Sequence, residues 1–301
     1  MTNSCNFWNM INWENMESTS KHAYCIMAHG NWQQLQMLMD VLDDARNDIF
    51  LHIDAKSTAD FEKVGGHIKL QHSRLYYAES VDVRWSDISL ADAEMSLFKK
   101  VYEVGIDYGR VHLISGADFP LKNQNEIHKF FDNSKEEFID VRHPNQFEKR
   151  LKYYHFFVKY RRNRPYVDFL RRLLLLPQLP FVNRLKTAPL KYAYGSEWCS
   201  LTYSAIKEIV CKYPVYRYMF KYSTCPDEHY KQMILQANPK FSFAKEGCMR
   251  YVVFSSDNPS PKTLTMADYN HVMKSGCLFA MKFDIKVDLE ILSRIYNSFN
   301  K

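Results

Sequence analysis

Pro226-Asp227-Glu228-His229 is the stretch in which residue type and spacing point most directly at chemistry. It follows Ser223-Thr224-Cys225 and runs into Tyr230-Lys231-Gln232-Met233-Ile234-Leu235. Proline presets the backbone, Asp227 can cap, and the apolar spacing beyond reads as a helix start. That puts Glu228 in the first helical turn, its carboxylate free to face a cleft. A fixed carboxylate beside a bound hydroxyl is what a general base requires. The structural alternative is a helix N-terminus that simply favours acids, and the tetrad alone does not choose between the two.

Such a group needs a scaffold. From residue 21 onward the pattern alternates strand and helix. Residues 22–29 form a short apolar run stopped by Gly30, so a buried strand, and 32–42 carry apolar residues at helical spacing. Residues 48–54 read as a second strand, 75–77 as a third, 89–104 as a long amphipathic helix and 110–114 as a further buried strand. Strands alternating with helices predict an α/β fold with a mostly parallel sheet covered on both faces. Ligands in such sheets bind beyond the carboxyl ends of the strands. The polar residues there are His29, His52, Asp54, Ser115 and Asp118.

Residues 155–191 differ, with nine Lys or Arg and one Asp around Phe169-Leu170-Arg171-Arg172-Leu173-Leu174-Leu175-Leu176-Pro177. Basic residues beside a leucine run suit either an interfacial element at an anionic membrane surface, spanning 159–186, or an ordinary helix packed on the core.

The bulk properties bound the rest. The chain has 301 residues, 46% hydrophobic and 25% charged, enough for a proper core. Nine Gly and eleven Pro leave little room for linker. A net charge of +6 suits an anionic small ligand or surface and does not demand nucleic acid. The seven cysteines form no CxxC pair and several sit in apolar runs, which predicts reduced thiols, an intracellular setting and no zinc site. No run of eighteen apolar residues occurs, and residues 1–20 lack the pattern of a signal peptide. They are expected to be a flexible extension ahead of a single domain over 21–301.

Seven blocks resemble the core 2/I-branching glycosyltransferases (glycosyltransferase family fourteen), which also hold peptide O-xylosyltransferases. They begin with Tyr24-Cys25-Ile26-Met27-Ala28-His29, His52-Ile53-Asp54-Ala55-Lys56-Ser57 and Val83-Arg84-Trp85-Ser86-Asp87-Ile88-Ser89. Leu113 to Lys122, Gly195-Ser196-Glu197-Trp198 and Pro226-Asp227-Glu228-His229 follow, and Leu278-Phe279-Ala280-Met281-Lys282-Phe283-Asp284 closes the series. Their order and rough spacing, over about 21–288, carry the resemblance. It implies a GT-A-like, Rossmann-like fold, with a nucleotide-binding part at about 21–125 and an acceptor and catalytic part at about 126–301. It also implies inverting transfer from a nucleotide sugar.

Inverting transfer needs one base for the acceptor hydroxyl and positive charge for the departing diphosphate. Many GT-A enzymes supply that charge with a metal on an Asp-x-Asp motif, which this chain lacks; the nearest string, Asp92-Ala93-Glu94, lies in the predicted long helix, where its two acids diverge. The resemblance implies instead a basic pair, Arg250 and Lys282, with Glu228 as base and no metal or cofactor. It assigns donor contacts also to Ala28, Asp54, Trp85 and Ser86, and acceptor contacts to Asp140, Arg150 and Trp198. Asp227 is expected to cap the helix or hold the loop, and Asp118 to shape a turn. Phe254 stands where family members often carry Trp.

The expected function is transfer of GlcNAc from a UDP donor to a hydroxyl of a glycan or lipid-linked glycan, in surface polysaccharide synthesis. The expected place is the cytoplasm, including the inner face of the membrane. The alternatives are a xylosyltransferase acting from UDP-xylose on protein serine, and an inactive glycan-binding module of the same fold.

Overall fold

A computed structural model of the chain describes residues 20–162, 164–254 and 260–299. The expected N-terminal extension lies outside them, Ser20 excepted. In chain order the elements are β1 (His22–Ala28), α1 (Trp32–Leu42), β2 (Asn47–Ile53), α2 (Thr58–Lys63), β3 (Arg74–Tyr77), α3 (Ile88–Val104) and β4 (Arg110–Ser115). There follow β5 (Phe119–Pro120), α4 (Gln124–Phe131), α5 (Asn145–Lys152), α6 (Pro165–Leu175), β6 (Cys199–Leu201) and α7 (Tyr203–Phe220). The last are α8 (Tyr230–Gln236), β7 (Arg250–Val252), α9 (Tyr269–Met273), β8 (Phe279–Met281) and α10 (Leu289–Ser298).

The main sheet has the order β3-β2-β1-β4-β6, with β1 to β4 parallel and β6 antiparallel to β4. Alternate residues of β1 feed two different cores, because successive side chains leave a strand on opposite faces. Ala23 and Cys25 join the cluster built with α3, α7 and α8. Tyr24, Ile26 and Ala28 join the one built with α1, α4 and α10. This two-sided burial explains the near-continuous apolar character of β1 and β2, and it gives the α/β fold that the alternating pattern predicts, in keeping with the GT-A-like architecture that the resemblance implies.

A second sheet, β5-β8-β7, has strands of only two or three residues and carries Arg250 and Met281 to the edge of the cleft. Helix α3 starts where the Asp87 side chain accepts from the Ser89 N–H, and it stops at Gly105, whose φ of 73° is open to glycine at no steric cost.

Candidate active site

A cavity of about 1010 Å³ opens between α6, the 194–198 segment, the 224–228 turn and β7. Trp85, Ser86, Asp140, Arg150, Trp198, Glu228 and Arg250 all line it. Ala28, Asp54 and Lys282 do not; they belong to a second cluster at the carboxyl ends of β1 and β2, which meets the cavity through Met281, the neighbour of Lys282.

The tetrad departs from the expected helix start. Pro226–Glu228 is a single 3-10 turn, His229 has φ −131°, and α8 begins only at Tyr230. Asp227 caps nothing. Its carboxyl is buried, with Oδ1 lacking a hydrogen-bond partner among the described residues. Burial, with the adjacent Glu228 second, pushes Asp227 up to about 7. The reason lies one residue upstream: Cys225 sits in the left-handed region at φ 50° and turns the tetrad inward. Its partner Ser86 is left-handed too, at φ 68°. The two are joined by Cys225 N–H donating to Ser86 O at 2.9 Å and by an Oγ–Sγ contact of 3.2 Å. Two non-glycine residues in that region cost about 1–3 kcal/mol each. The two contacts tie the Trp85-Ser86 loop to the turn that carries Glu228.

Glu228 is half-buried, and Arg150 Nη1 donates to its Oε2 at 2.5 Å. Arg150 packs beside two stacked rings, its guanidinium 4.4 Å from the centre of Phe147 and 5.6 Å from that of Tyr194, whose centres lie 4.4 Å from each other. The Tyr194 hydroxyl is pushed well up, by burial and then by the Glu228 carboxylate. Gly195 N–H donates to Glu228 O at 2.9 Å. A Cβ at Gly195 would lie 1.9 Å from the Asp140 carbonyl oxygen, so only glycine lets the two segments meet. Asp140 itself accepts from Cys248 N–H at 3.3 Å and pairs with Arg142 at 3.3 Å.

Behind the turn lies a buried polar layer that the tetrad alone did not reveal. Lys231 bonds Glu94 of α3 and donates to Asp227 O at 3.0 Å, and Tyr230 Oη donates to Glu94 at 2.7 Å. Burial raises the Glu94 carboxyl against the pull of Lys231. Glu197, which lines the cavity, is raised well above the usual range by burial, with Asp227 next. The other half of the Asp92-Ala93-Glu94 string faces away: Asp92 pairs with Arg217 at 2.6 Å. The two acids do diverge around α3, as helical spacing requires.

The remaining expected residues fall as follows. Trp198 is buried on the cavity wall. Trp85 is partly exposed, with the Arg161 guanidinium 4.8 Å above its ring. Arg250 is buried and turned inward. It donates to Cys248 O at 2.6 Å, Cys199 O at 2.8 Å and Ser200 Oγ at 3.0 Å, and its guanidinium lies 4.3 Å from the centre of Phe279. Held this way it offers the cavity charge rather than an open fork.

Asp54 accepts from the Lys56 N–H at 2.9 Å and from Lys56 Nζ at 2.8 Å, and its own N–H donates to Ala28 O at 2.9 Å. Lys282 is half-buried and in no ion pair among the described residues. Burial lowers the nearby His29, Asp54 raises it and Lys282 lowers it, which puts all three in one electrostatic cluster. Asp118 is structural, as expected: its Oδ2 accepts from Ser115 N–H at 2.6 Å, and burial pushes it up to about 6. Among the described residues no group of three or more His, Cys, Asp or Glu is placed to hold a metal ion.

Tyr194, Glu197, Arg161 and Lys231 are the side chains that sequence reasoning missed. Glu197 stood inside a quoted block beside Trp198; the others carried no local signal.

A two-faced, mostly parallel sheet with an acid-bearing cleft beside its strand ends is the GT-A-like architecture of sugar transferases. The chain matches the Core-2/I-Branching enzyme model over residues 22–274, and it belongs to that family of glycosyltransferases. It is also similar to the bovine (Bos taurus) β-1,3-galactosyl-O-glycosyl-glycoprotein β-1,6-N-acetylglucosaminyltransferase, at 26% identity over 106 residues. That alignment covers 35% of this chain and 25% of the relative, so the chain spans about a quarter of the length of the curated relative it matches.

Proposed function

We propose that the protein is an inverting, metal-independent transferase that moves GlcNAc from a UDP donor to a hydroxyl of a glycan, free or lipid-linked, during surface polysaccharide synthesis in the cytoplasm. The observation that carries this reading is Glu228: a half-buried carboxylate held by Arg150 at the wall of a cavity large enough for a sugar acceptor. In a single displacement Glu228 takes the acceptor proton as the oxygen attacks the anomeric carbon. The bond from that carbon to the phosphate oxygen breaks, and UDP leaves with the electron pair. Lys282 meets the developing charge, and Arg250 adds its field from behind. Ala28 and Asp54 hold the nucleoside end, Trp85 and Ser86 close over the donor, and Asp140, Arg150 and Trp198 receive the acceptor. Residues 21–125 thus serve mainly the nucleotide and 126–301 the acceptor and the base.

A thermal-shift screen over UDP-sugars without added metal tests the donor assignment, since a ligand of the folded state raises its melting temperature by mass action. UDP-GlcNAc should give the largest shift. A larger shift with UDP-xylose would move the reading to xylosyl transfer, and no shift with any UDP-sugar would remove it.

A further inference from the structure

Helix α6 is turned inside out. Its buried side carries Val167 and Arg171, and Arg171 donates to Phe156 O at 3.2 Å and to Asp168 at 2.8 Å. Its outward side carries Tyr166, Phe169, Leu170 and Leu173 at i, i+3, i+4 and i+7, one continuous apolar stripe. Phe169 is 71% exposed, and Phe181, on the turn that follows, is 88% exposed. Of the twenty-one large hydrophobic side chains exposed among the described residues, eleven fall between residues 154 and 181. Isolated exposed apolar residues need no explanation, but a contiguous patch marks an interaction surface.

The charge around the stripe says what covers it. Lys159, Arg164 and Lys186 are exposed and in no ion pair among the described residues. The one acid in the segment, Asp168, is already held by Arg161 at 3.3 Å and Arg171 at 2.8 Å. A second copy docking through the same face would bring these cations against themselves, because a two-fold interface pairs each patch with itself. A bilayer rich in anionic lipid fits both features: the aromatic and leucine side chains enter the boundary below the headgroups while the cations meet lipid phosphates. The same helix forms one wall of the active cleft through Asp168, Arg171, Arg172 and Leu175.

We infer that α6 and the turn after it dock on an anionic lipid bilayer and set the cleft beside that surface, where a glycan acceptor is reached while its lipid anchor stays in the bilayer. The docking stands on the exposed face alone; only the acceptor clause rests on the transferase reading.

Flotation with vesicles, in the absence of donor and acceptor, tests it. The intact protein should float with vesicles of equal parts phosphatidylcholine and phosphatidylglycerol, and bind pure phosphatidylcholine vesicles or high-salt samples about tenfold less. Phe169→Glu/Leu173→Glu should lower anionic binding by on the order of tenfold or more while keeping the melting temperature and the UDP-induced thermal shift. Should that pair fail to fold, Phe181→Ser with Lys186→Glu makes the same test on other exposed positions. Wild type that stays unbound, or a folded variant that floats equally well, would overturn the docking. A wild type that elutes as a dimer broken by Phe169→Glu/Leu173→Glu, without binding vesicles, would assign the face to a second copy and overturn it too. Docking that holds while no UDP-sugar binds would leave the bilayer and remove only the acceptor clause.

Discussion

In the proposed mechanism Glu228 is the residue on which transfer turns. Glu228→Gln keeps the shape and the Arg150 contact while removing the proton acceptor, so transfer should fall by roughly 10²–10⁴-fold. Lys282→Ala should weaken UDP binding on the order of ten- to a hundredfold, the worth of a charge-assisted contact, read by titration calorimetry; an unchanged dissociation constant would remove Lys282 from the diphosphate site. Asp227 makes a different prediction. Its folded value of about 7 lies above the ordinary 3.8, so the folded state retains a proton that the unfolded chain gives up. The stability contributed by neutral Asp227 is therefore fully present below about pH 3.8 and lost as pH rises through about 7. Asp227→Asn should flatten the fall in urea-denaturation stability across that window; matching slopes in the two proteins would show Asp227 to be ionised throughout. At this scale the sequence made the acid legible through its proline and its place in a family block. It could not show that Cys225 adopts a left-handed backbone, and that one angle turns Asp227 from a cap into a buried acid. Nor could it show that Arg250 faces inward, because apart from Cys248 O its partners lie fifty residues or more distant, as Cys199 O and Ser200 Oγ do.

The elements explain why the turn holds still. Helix α3 supplies Glu94, α8 supplies Tyr230 and Lys231, and the lysine reaches back to the Asp227 carbonyl next to the base. Lys231→Met should strand the Glu94 charge and cost about 3–5 kcal/mol, whereas replacing both partners by apolar residues should cost far less. Chemical denaturation of the single and double variants measures this. A double variant as unstable as Lys231→Met would show that the pair does more than neutralise itself. Strands β1 to β4 and helices α1 and α3 were readable within a residue or so, because burial on both faces writes long apolar runs and α1 and α3 carry clear helical spacing, whereas the three-residue edge strand β6 was not read. The second sheet was not. Strands of two or three residues, such as Phe119–Pro120, are too short to show a period of two, and they exist only because β8 pairs with distant partners.

On the scale of the whole molecule, the proposed reaction lies between two clusters: Ala28, Asp54 and Lys282 at the strand ends, and Glu228, Arg150 and Trp198 in the cleft. Family blocks spread along the chain made most of these residues visible, since each block is a strand end or turn that the sheet gathers. The cleft wall built by α6 was only half visible: the basic, leucine-rich composition was plain, but which side of the helix faces outward depends on the partners that bury Arg171. Among the described residues no helix is long and apolar enough to cross a membrane. If Lys282 and Arg250 carry the diphosphate charge in place of a metal, transfer should survive excess EDTA, and strict dependence on added Mn²⁺ would transfer that role to an ion. The most direct test of the whole account is the rate of sugar transfer by wild type and Glu228→Gln in EDTA, with UDP affinity measured on the same samples. The account predicts turnover by the wild type, a loss of roughly 10²–10⁴-fold in the variant and nearly equal UDP affinity in both. A variant that transfers at the wild-type rate would contradict it.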